Sequence, residues 1–315
     1  MIKRIAVLGA GTMGHGIAET FAMNGYDVSL YEVFDPVREK VIGTIRSELE
    51  MLARYDVVDG GEIEKILGRI TLYKELEPAV RDADYVIEAT PENLELKQKL
   101  FRELDGYCKK EAVFGSNTSS LSLEKMTEGL SDERKARTMV CHWYNPAHLM
   151  PLVELSYFGN MEQAVYEEIE DLYKKAGKQT VKVLKDVPGL VANRIQQGVA
   201  REVFSLIEMG VADPAEIDKA LKFGPAFRYA TTGQFEVADL GGLDIWCVVG
   251  DNLLGVMDNR KEANPLLREK VAEGKLGFKS GEGFFSYPED KKKDIMENFT
   301  RKLIIQLKTS KNYIE

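Results

Sequence analysis

The hydrophobic and polar positions follow two different periods along the chain. "KRIAVLG", Lys3 to Gly9, is a run of β-favouring residues closed by glycine and predicts a short buried strand. In the next segment, "TMGHGIAETFAMNG", Met13, Ile17 and Phe21 recur four residues apart on one helical face, and Asn24-Gly25 supplies the stop. "YDVSLYE", Tyr26 to Glu32, reads as a second strand, so the chain opens with a strand–helix–strand unit. Helical text of mixed charge runs from Asp35 to Leu67. "ITLY" and Asp84 to Thr90 are strand candidates, and "NLELKQKLFRELDGYC" is an amphipathic helix. "AVFGSNTSS" and "RTMVCHWYN" each carry a strand into a polar end. "PLVELSYF", a helix from Glu162 to Ala176 and a strand around "TVKVLK" follow.

Strands alternating with helices indicate an α/β architecture, a parallel, doubly wound sheet of the Rossmann type. The alternation stops at Lys185. Beyond "DVPGLVANRIQQ" the text is almost wholly helical, from Ala192 to Met209, Pro214 to Lys222, Glu236 to Met257 and Lys291 to Leu307. The expectation is a dinucleotide-binding domain over 1–186 and an all-α domain over 187–315 for substrate binding and dimerisation. A chain of 315 residues also exceeds what one hydrophobic core usually sustains.

Composition narrows the classes. Apolar residues at 44% and charged residues at 30% describe a globular chain. A net charge of −9 argues against nucleic acid as the main partner. Cys108, Cys141 and Cys247 are widely spaced and form no disulfide framework, which suits a reducing, cytoplasmic setting. No apolar run approaches the roughly 18 residues of a membrane helix. The basic start "MIKRIAVLGAG" has too short an apolar run for a leader, and its glycines have a better explanation.

"GAGTMG" places Gly9, Gly11 and Gly14 as G-x-G-x-x-G between a strand and a helix, with Thr12 and Met13 in the same turn. Such a turn lets a backbone approach a pyrophosphate, and the helix N-terminus offers donors and positive potential. Glu32, 18 residues after Gly14 at the end of the second strand, is placed to accept from ribose hydroxyls and to repel a 2′-phosphate. This predicts NAD rather than NADP. His15, just inside the helix, reads as a partly exposed surface residue.

Ligands of open α/β sheets bind beyond the carboxyl ends of the strands, where this chain carries "GSNTSS" and "HWYN". Histidine titrates near ~6.5 as a free side chain and suits proton transfer in both directions of an alcohol–carbonyl reaction. His142 is therefore the candidate acid/base, and Glu154, twelve residues on, the candidate partner for its second nitrogen.

Together, "GAGTMGHGIAE", "PENLELK", "SNTSSL", "HWYNPAHLMPLVEL", "DVPGLVANR", "GQFEVADLGGLD" and "KSGEGFFSY" resemble the L-3-hydroxyacyl-CoA dehydrogenases from Met1 to about Tyr287. The resemblance implies NAD-dependent oxidation of an L-3-hydroxyacyl-CoA to the 3-oxoacyl-CoA, a β-oxidation step, in a homodimer formed through the helical domain. It makes His142 the acid/base oriented by Glu154, with Ser119 and Asn193 hydrogen-bonding the substrate oxygen. Asn145 follows on the substrate side, Glu92 and Lys97 at the nicotinamide ribose, and Asn117 among the cofactor contacts.

Some features depart from the acyl-CoA pattern. "FGPAFRYATTGQFE", Trp143 and Pro151 resemble relatives that act on free hydroxy acids, such as carnitine, gulonate and pyridine-carboxylate dehydrogenases. Arg228 is then a candidate carboxylate ligand. Residues 46 to 70 carry four bases against six acids, a poor setting for CoA phosphates. Hydroxyacyl-CoA oxidation is the first expectation, a free hydroxy or hydroxymethyl acid the alternative, and a non-catalytic NAD-binding relative the third. His148 stands six residues from His142, a spacing that fits no common zinc motif, so it reads as a surface or pocket-rim residue and no metal is expected.

Overall fold

The computed structural model describes residues 2–313. The chain divides into two compact units, Met1–Val191 and Ala192–Glu315, so the expected join at 186/187 lies within the first. The first unit runs β1 (Arg4–Leu8), α1 (Gly14–Met23), β2 (Asp27–Tyr31), α2 (Asp35–Arg54), α3 (Ile63–Leu67), β3 (Ile70–Tyr73) and α4 (Leu76–Val80). It continues with β4 (Tyr85–Glu88), α5 (Leu94–Tyr107), β5 (Val113–Ser116), α6 (Leu123–Met126), α7 (Asp132–Lys135) and β6 (Thr138–Trp143). β7 (Leu152–Ser156), α8 (Gln163–Lys175) and β8 (Gln179–Val183) complete it.

These strands form one sheet in the order β3-β2-β1-β4-β5-β6-β7-β8, a Rossmann-type doubly wound arrangement. The order turns back at β1 and β4, whose carboxyl ends flank the glycine loop. The sheet is not wholly parallel as expected: β7 runs antiparallel to β6, and β8 follows β7. The cause is loop length. A parallel return needs a crossover of about a dozen or more residues, and only residues 144–151 join β6 to β7.

The helical text from 35 to 67 is also interrupted. α2 ends at Arg54, Asp56 takes a positive φ of 55°, and Asp59 caps a short 3-10 turn by accepting from the Gly61 amide at 2.9 Å. The β-branched pair Val57-Val58 and the Gly60-Gly61 pair favour this break.

One face of the sheet packs an aromatic cluster. Phe21 of α1 meets Tyr85, Trp143 and Tyr173 edge-on, with centroids 5.6–6.4 Å apart. The Tyr85 and Tyr173 hydroxyls lie 2.8 Å apart, Tyr85 donates to Cys141 Sγ, and Trp143 Nε1 donates to Tyr173. Cys141 and Trp143 therefore face this cluster, and alternation along β6 turns His142 to the opposite face.

The second unit comprises α9 (Ala192–Glu208), α10 (Pro214–Phe223), α11 (Pro225–Tyr229), α12 (Gln234–Gly241), α13 (Leu243–Leu253), α14 (Pro265–Ala272) and α15 (Lys292–Ser310). The single helix expected from Glu236 to Met257 is two, parted at Gly242. That glycine has φ 91°, and a Cβ there would lie 2.8 Å from Asp244 Oδ1. Phe235, Leu240, Leu254 and Val256 are exposed apolar side chains of this unit. Among the described residues, no helix is long and apolar enough to cross a membrane.

Gly115 of β5 tests the aromatic cluster. A Cβ there would sit 2.3 Å from the Tyr85 hydroxyl and 3.1 Å from Cys141 Sγ. Gly115→Ala should destabilise the protein by about 1–3 kcal/mol through overpacking, read from urea unfolding; an unchanged midpoint would mean the cluster is looser than described.

Candidate active site

The glycine loop is built by three different demands. Gly9 has φ 92°, and a Cβ on it would come 2.9 Å from the Ala89 carbonyl oxygen; a Cβ on Gly14 would lie 1.7 Å from the Gly9 oxygen. These two glycines let β1, β4 and α1 close on one another. A Cβ on Gly11 would meet nothing within 4 Å, so the middle glycine keeps the outer side of the turn open. No side chain caps the N-terminus of α1, and no acid stands in its first turn. A pyrophosphate fits such a cradle of open space and uncapped amides. Thr12 is exposed and Met13 half-buried on the same turn.

Glu32, just past β2, is pinned beside this turn. Its carboxylate accepts from the Ala10 amide at 2.9 Å and the Phe34 amide at 2.8 Å. The acid expected to meet the adenosine ribose is thus tied to the loop expected to hold the phosphates.

At the end of β4 the polar residues support one another. Lys97 is 1% exposed, and its ammonium lies 2.6 and 2.8 Å from the two oxygens of buried Glu88. Glu88 also accepts from Ser116 and Thr90, so this buried pair is fully hydrogen-bonded. Glu92 accepts from Thr118 Oγ1 at 2.6 Å, Ser120 Oγ at 2.9 Å, and the Ser119 and Ser120 amides. Burial works to raise its pKa, but bonds from Thr118 and Ser120 with the charge of Lys97 hold it below the usual carboxylate value. This bonding is present at neutral pH and is lost as acidification passes through that lowered value. Both residues expected at the nicotinamide ribose therefore bond the polar loop and its base, and this fixes the backbone of Ser119.

Asn117 Oδ1 accepts from the Trp143 amide at 2.8 Å and so ties the same loop to the end of β6. There His142 and Glu154 are directly paired residues of the antiparallel ladder, and such neighbours share one face. His142 Nδ1 lies 2.7 Å from Glu154 Oε2. Glu154 is fully buried, His142 is 6% exposed, and Glu154 Oε1 accepts from the Val191 amide at 2.8 Å. With Nδ1–H donating to the carboxylate, Nε2 is the nitrogen left for chemistry. Tyr144 stands edge-on to the imidazole at 5.5 Å; burial, then the charge of Glu154, pushes its phenol up to about 12. Asn145 is exposed in the β6–β7 connection.

Asn193 and Arg228 belong to the second unit. Asn193 is half-buried in the first turn of α9, and Arg228 is exposed on α11 with its guanidinium 5.9 Å from the Tyr229 ring centre. A cavity of about 510 Å³ in the first unit is lined by Ser120, Leu123, Phe158, Asn160 and Asp186 among others. It borders the polar loop at Ser120 and includes neither Ser119 nor His142 in its lining.

Of the other two histidines, His15 is partly exposed as expected, and His148 departs from its expected place. The His148 side chain is only 7% exposed, not at a rim, and burial holds its imidazole down to about 4. His15 is 17% exposed, with Nδ1 2.6 Å from the Gly11 oxygen and Nε2 3.2 Å from Glu48. Glu19 and Glu48, which stand with them, escaped sequence reading. The one available sign was the spacing of His15 and Glu19, one helical turn apart.

Residues 4–187 match the 3-hydroxyacyl-CoA dehydrogenase NAD binding domain, and residues 189–287 match the 3-hydroxyacyl-CoA dehydrogenase C-terminal domain. The chain is 32% identical over 304 residues to the 5-formyl-3-hydroxy-2-methylpyridine 4-carboxylate 5-dehydrogenase of Mesorhizobium japonicum, covering 96% of this chain and 97% of that protein. A crystal structure of a dehydrogenase of that activity, described as an NAD+ dependent dismutase, superposes with a TM-score of 0.90 at 31% identity, covering 100% of both chains. The (S)-3-hydroxybutyryl-CoA dehydrogenase PaaH1 of Ralstonia eutropha is 32% identical with a TM-score of 0.73, covering 92% of this chain and 100% of that one.

Gly11→Ala should weaken NADH binding by about tenfold, roughly 1.4 kcal/mol, while unfolding stability stays within about 0.5 kcal/mol. Fluorescence titration and urea unfolding read the two effects. Unchanged affinity would remove the phosphates from this turn.

Proposed function

The chain belongs to the 3-hydroxyacyl-CoA dehydrogenase family, and from that premise we propose that it interconverts a hydroxyl and a carbonyl with His142 as the acid/base. The His142–Glu154 pair carries this reading. During oxidation His142 Nε2 takes the hydroxyl proton, and in reduction it returns it. Glu154 keeps Nδ1 protonated and offsets the charge of the imidazolium. Ser119, held by the Glu92 network, and Asn193 donate to the substrate oxygen and orient it. Bound NAD, held by the Gly9–Gly14 turn and Glu32, supplies the hydride acceptor.

The substrate in this proposal is a compact free acid, with Arg228 as its carboxylate partner. The first support is the pyridine-carboxylate dehydrogenase structure, which corresponds along the whole chain, including the α15 region beyond residue 287. The second is charge. Of the four bases between residues 46 and 70, Arg46 is bonded to Glu64, Lys65 to Glu62 and Arg69 to the Ala22 carbonyl, and Arg54 is also partnered. That leaves a CoA phosphate little to meet. A 3-hydroxyacyl-CoA thioester is the second reading, favoured by the match of both family domains.

The free cysteines fit a reducing cytoplasm. The exposed apolar side chains of the helical unit suit burial against a second copy of the chain. Sedimentation should give a dimer, and a monomer at micromolar concentration would remove that part of the proposal.

NADH oxidation should be followed with acetoacetate, dehydrocarnitine, a formylpyridine carboxylate and acetoacetyl-CoA. Turnover of a free acid is expected to exceed that of the thioester by at least about tenfold, and the reverse order would reassign the substrate. His142→Gln should lower kcat by about 10²–10⁴ and leave NADH affinity unchanged; substantial residual turnover would remove His142 as the acid/base.

A further inference from the structure

A second cluster of ionisable groups lies within the first unit, and the proposed reaction does not use it. His15 and Glu19 come from α1, Glu48 from α2, and His148 from the β6–β7 connection. His15 Nε2 is 3.2 Å from Glu48 Oε1, and His148 Nδ1 is 4.0 Å from Glu48 Oε2 and 3.8 Å from Glu19 Oε2. One ligating atom each from His15, Glu48 and His148 lies within 4.8 Å of the others.

Several of these atoms are buried without a hydrogen-bond partner: both Glu19 oxygens, Glu48 Oε2 and His148 Nδ1. Glu19 is fully buried. Leaving a buried polar atom unpartnered costs about 1–3 kcal/mol, and more when it is charged. The neighbouring cation, Lys178, is taken up elsewhere: it donates to the Ala147 and Met150 carbonyls at 2.7 and 2.9 Å and lies over the Trp143 ring.

We propose that His15, Glu48 and His148 bind a divalent transition-metal ion of the zinc class, with Glu19 as the carboxylate that closes the site. Two imidazole nitrogens with carboxylate oxygen suit such an ion rather than magnesium or calcium. Metal–ligand bonds of about 2.0–2.2 Å in a tetrahedron place neighbouring ligand atoms roughly 3.3–3.6 Å apart. His15 Nε2 is 3.2 Å from Glu48 Oε1, near that range, while His148 Nδ1 is 4.0 Å from the other Glu48 oxygen and 3.8 Å from Glu19, so His148 would draw in by a few tenths of an ångström on binding.

The surroundings hold the ligands in place. Nδ1–H of His15 donates to the Gly11 carbonyl at 2.6 Å, which turns the Nε2 lone pair toward the cluster. Lys178 clamps the carbonyls on both sides of His148. Gly16 admits that segment, since a Cβ there would come 3.1 Å from the His148 amide nitrogen and 3.3 Å from its Nδ1. The ion anchors His15, and through it the Gly11 carbonyl of the phosphate-binding turn. The competing account is a cluster closed by protons shared among the acids and His15.

Metal-stripped full-length protein titrated with Co2+ separates the two. One equivalent should bind with the visible absorption of nitrogen and oxygen ligation and without thiolate charge transfer. In competition with a chromophoric chelator, His148→Ala and Glu48→Gln should each weaken Zn2+ binding at least about tenfold. His142→Gln should bind as the wild type does. Circular dichroism checks that the variants are folded, and the wild-type titration decides on its own if they are not. Absent or thiolate-type Co2+ binding in the wild type, or undiminished Zn2+ affinity in folded variants, would overturn the site.

Discussion

The antiparallel pairing of β6 with β7 is the constraint on which the site depends. It sets His142 directly opposite Glu154, so the hydrogen bond between them follows from ladder register and not from a chance approach of loops. Packing reinforces it. Cys141 and Trp143 are committed to the aromatic cluster on one face, and a slip of one residue would turn them onto the buried opposite face and His142 into the cluster. The strength of the arrangement lies in how much else would have to break before the imidazole moved.

Around that pair, acids serve as organisers of backbone. Glu32 holds the Ala10 amide of the glycine turn, Glu92 the Ser119 and Ser120 amides of the polar loop, and Glu154 the amide of Val191. Each carboxylate takes donors from segments that come together only in the fold. Loops without repeating hydrogen bonds of their own are held this way at little conformational entropy cost when a ligand arrives.

Much of this was legible in the sequence, and the limits have physical causes. The glycine turn is local, so strand, glycines, helix and acid could be read in order from Gly9 to Glu32. The twelve-residue interval between His142 and Glu154 was legible as chemistry, yet the expected all-parallel sheet offered no reason for it. The short 144–151 connection supplies the reason, because it forces the chain back on itself. The burial of Lys97 against Glu88 and the convergence of His15, Glu48 and His148 were not legible. They depend on contacts between segments far apart in sequence, where spacing carries no signal. The interruptions near Asp56 and at Gly242 carry local signals, the Val57-Val58, Gly60-Gly61 and Gly241-Gly242 pairs, which were outweighed because helical text resumes on both sides of each.

His142 and Glu154 both belong to the sheet unit, and so does Val191, whose amide donates to Glu154. Arg228 and the exposed apolar helices belong to the other unit. In the proposed reading, the acid/base pair and the carboxylate ligand are thus written on separate stretches of chain. A lineage can rewrite the second stretch to suit a new carbon skeleton while inheriting the first unaltered, and one reaction can thereby spread across thioesters and aromatic acids without being reinvented.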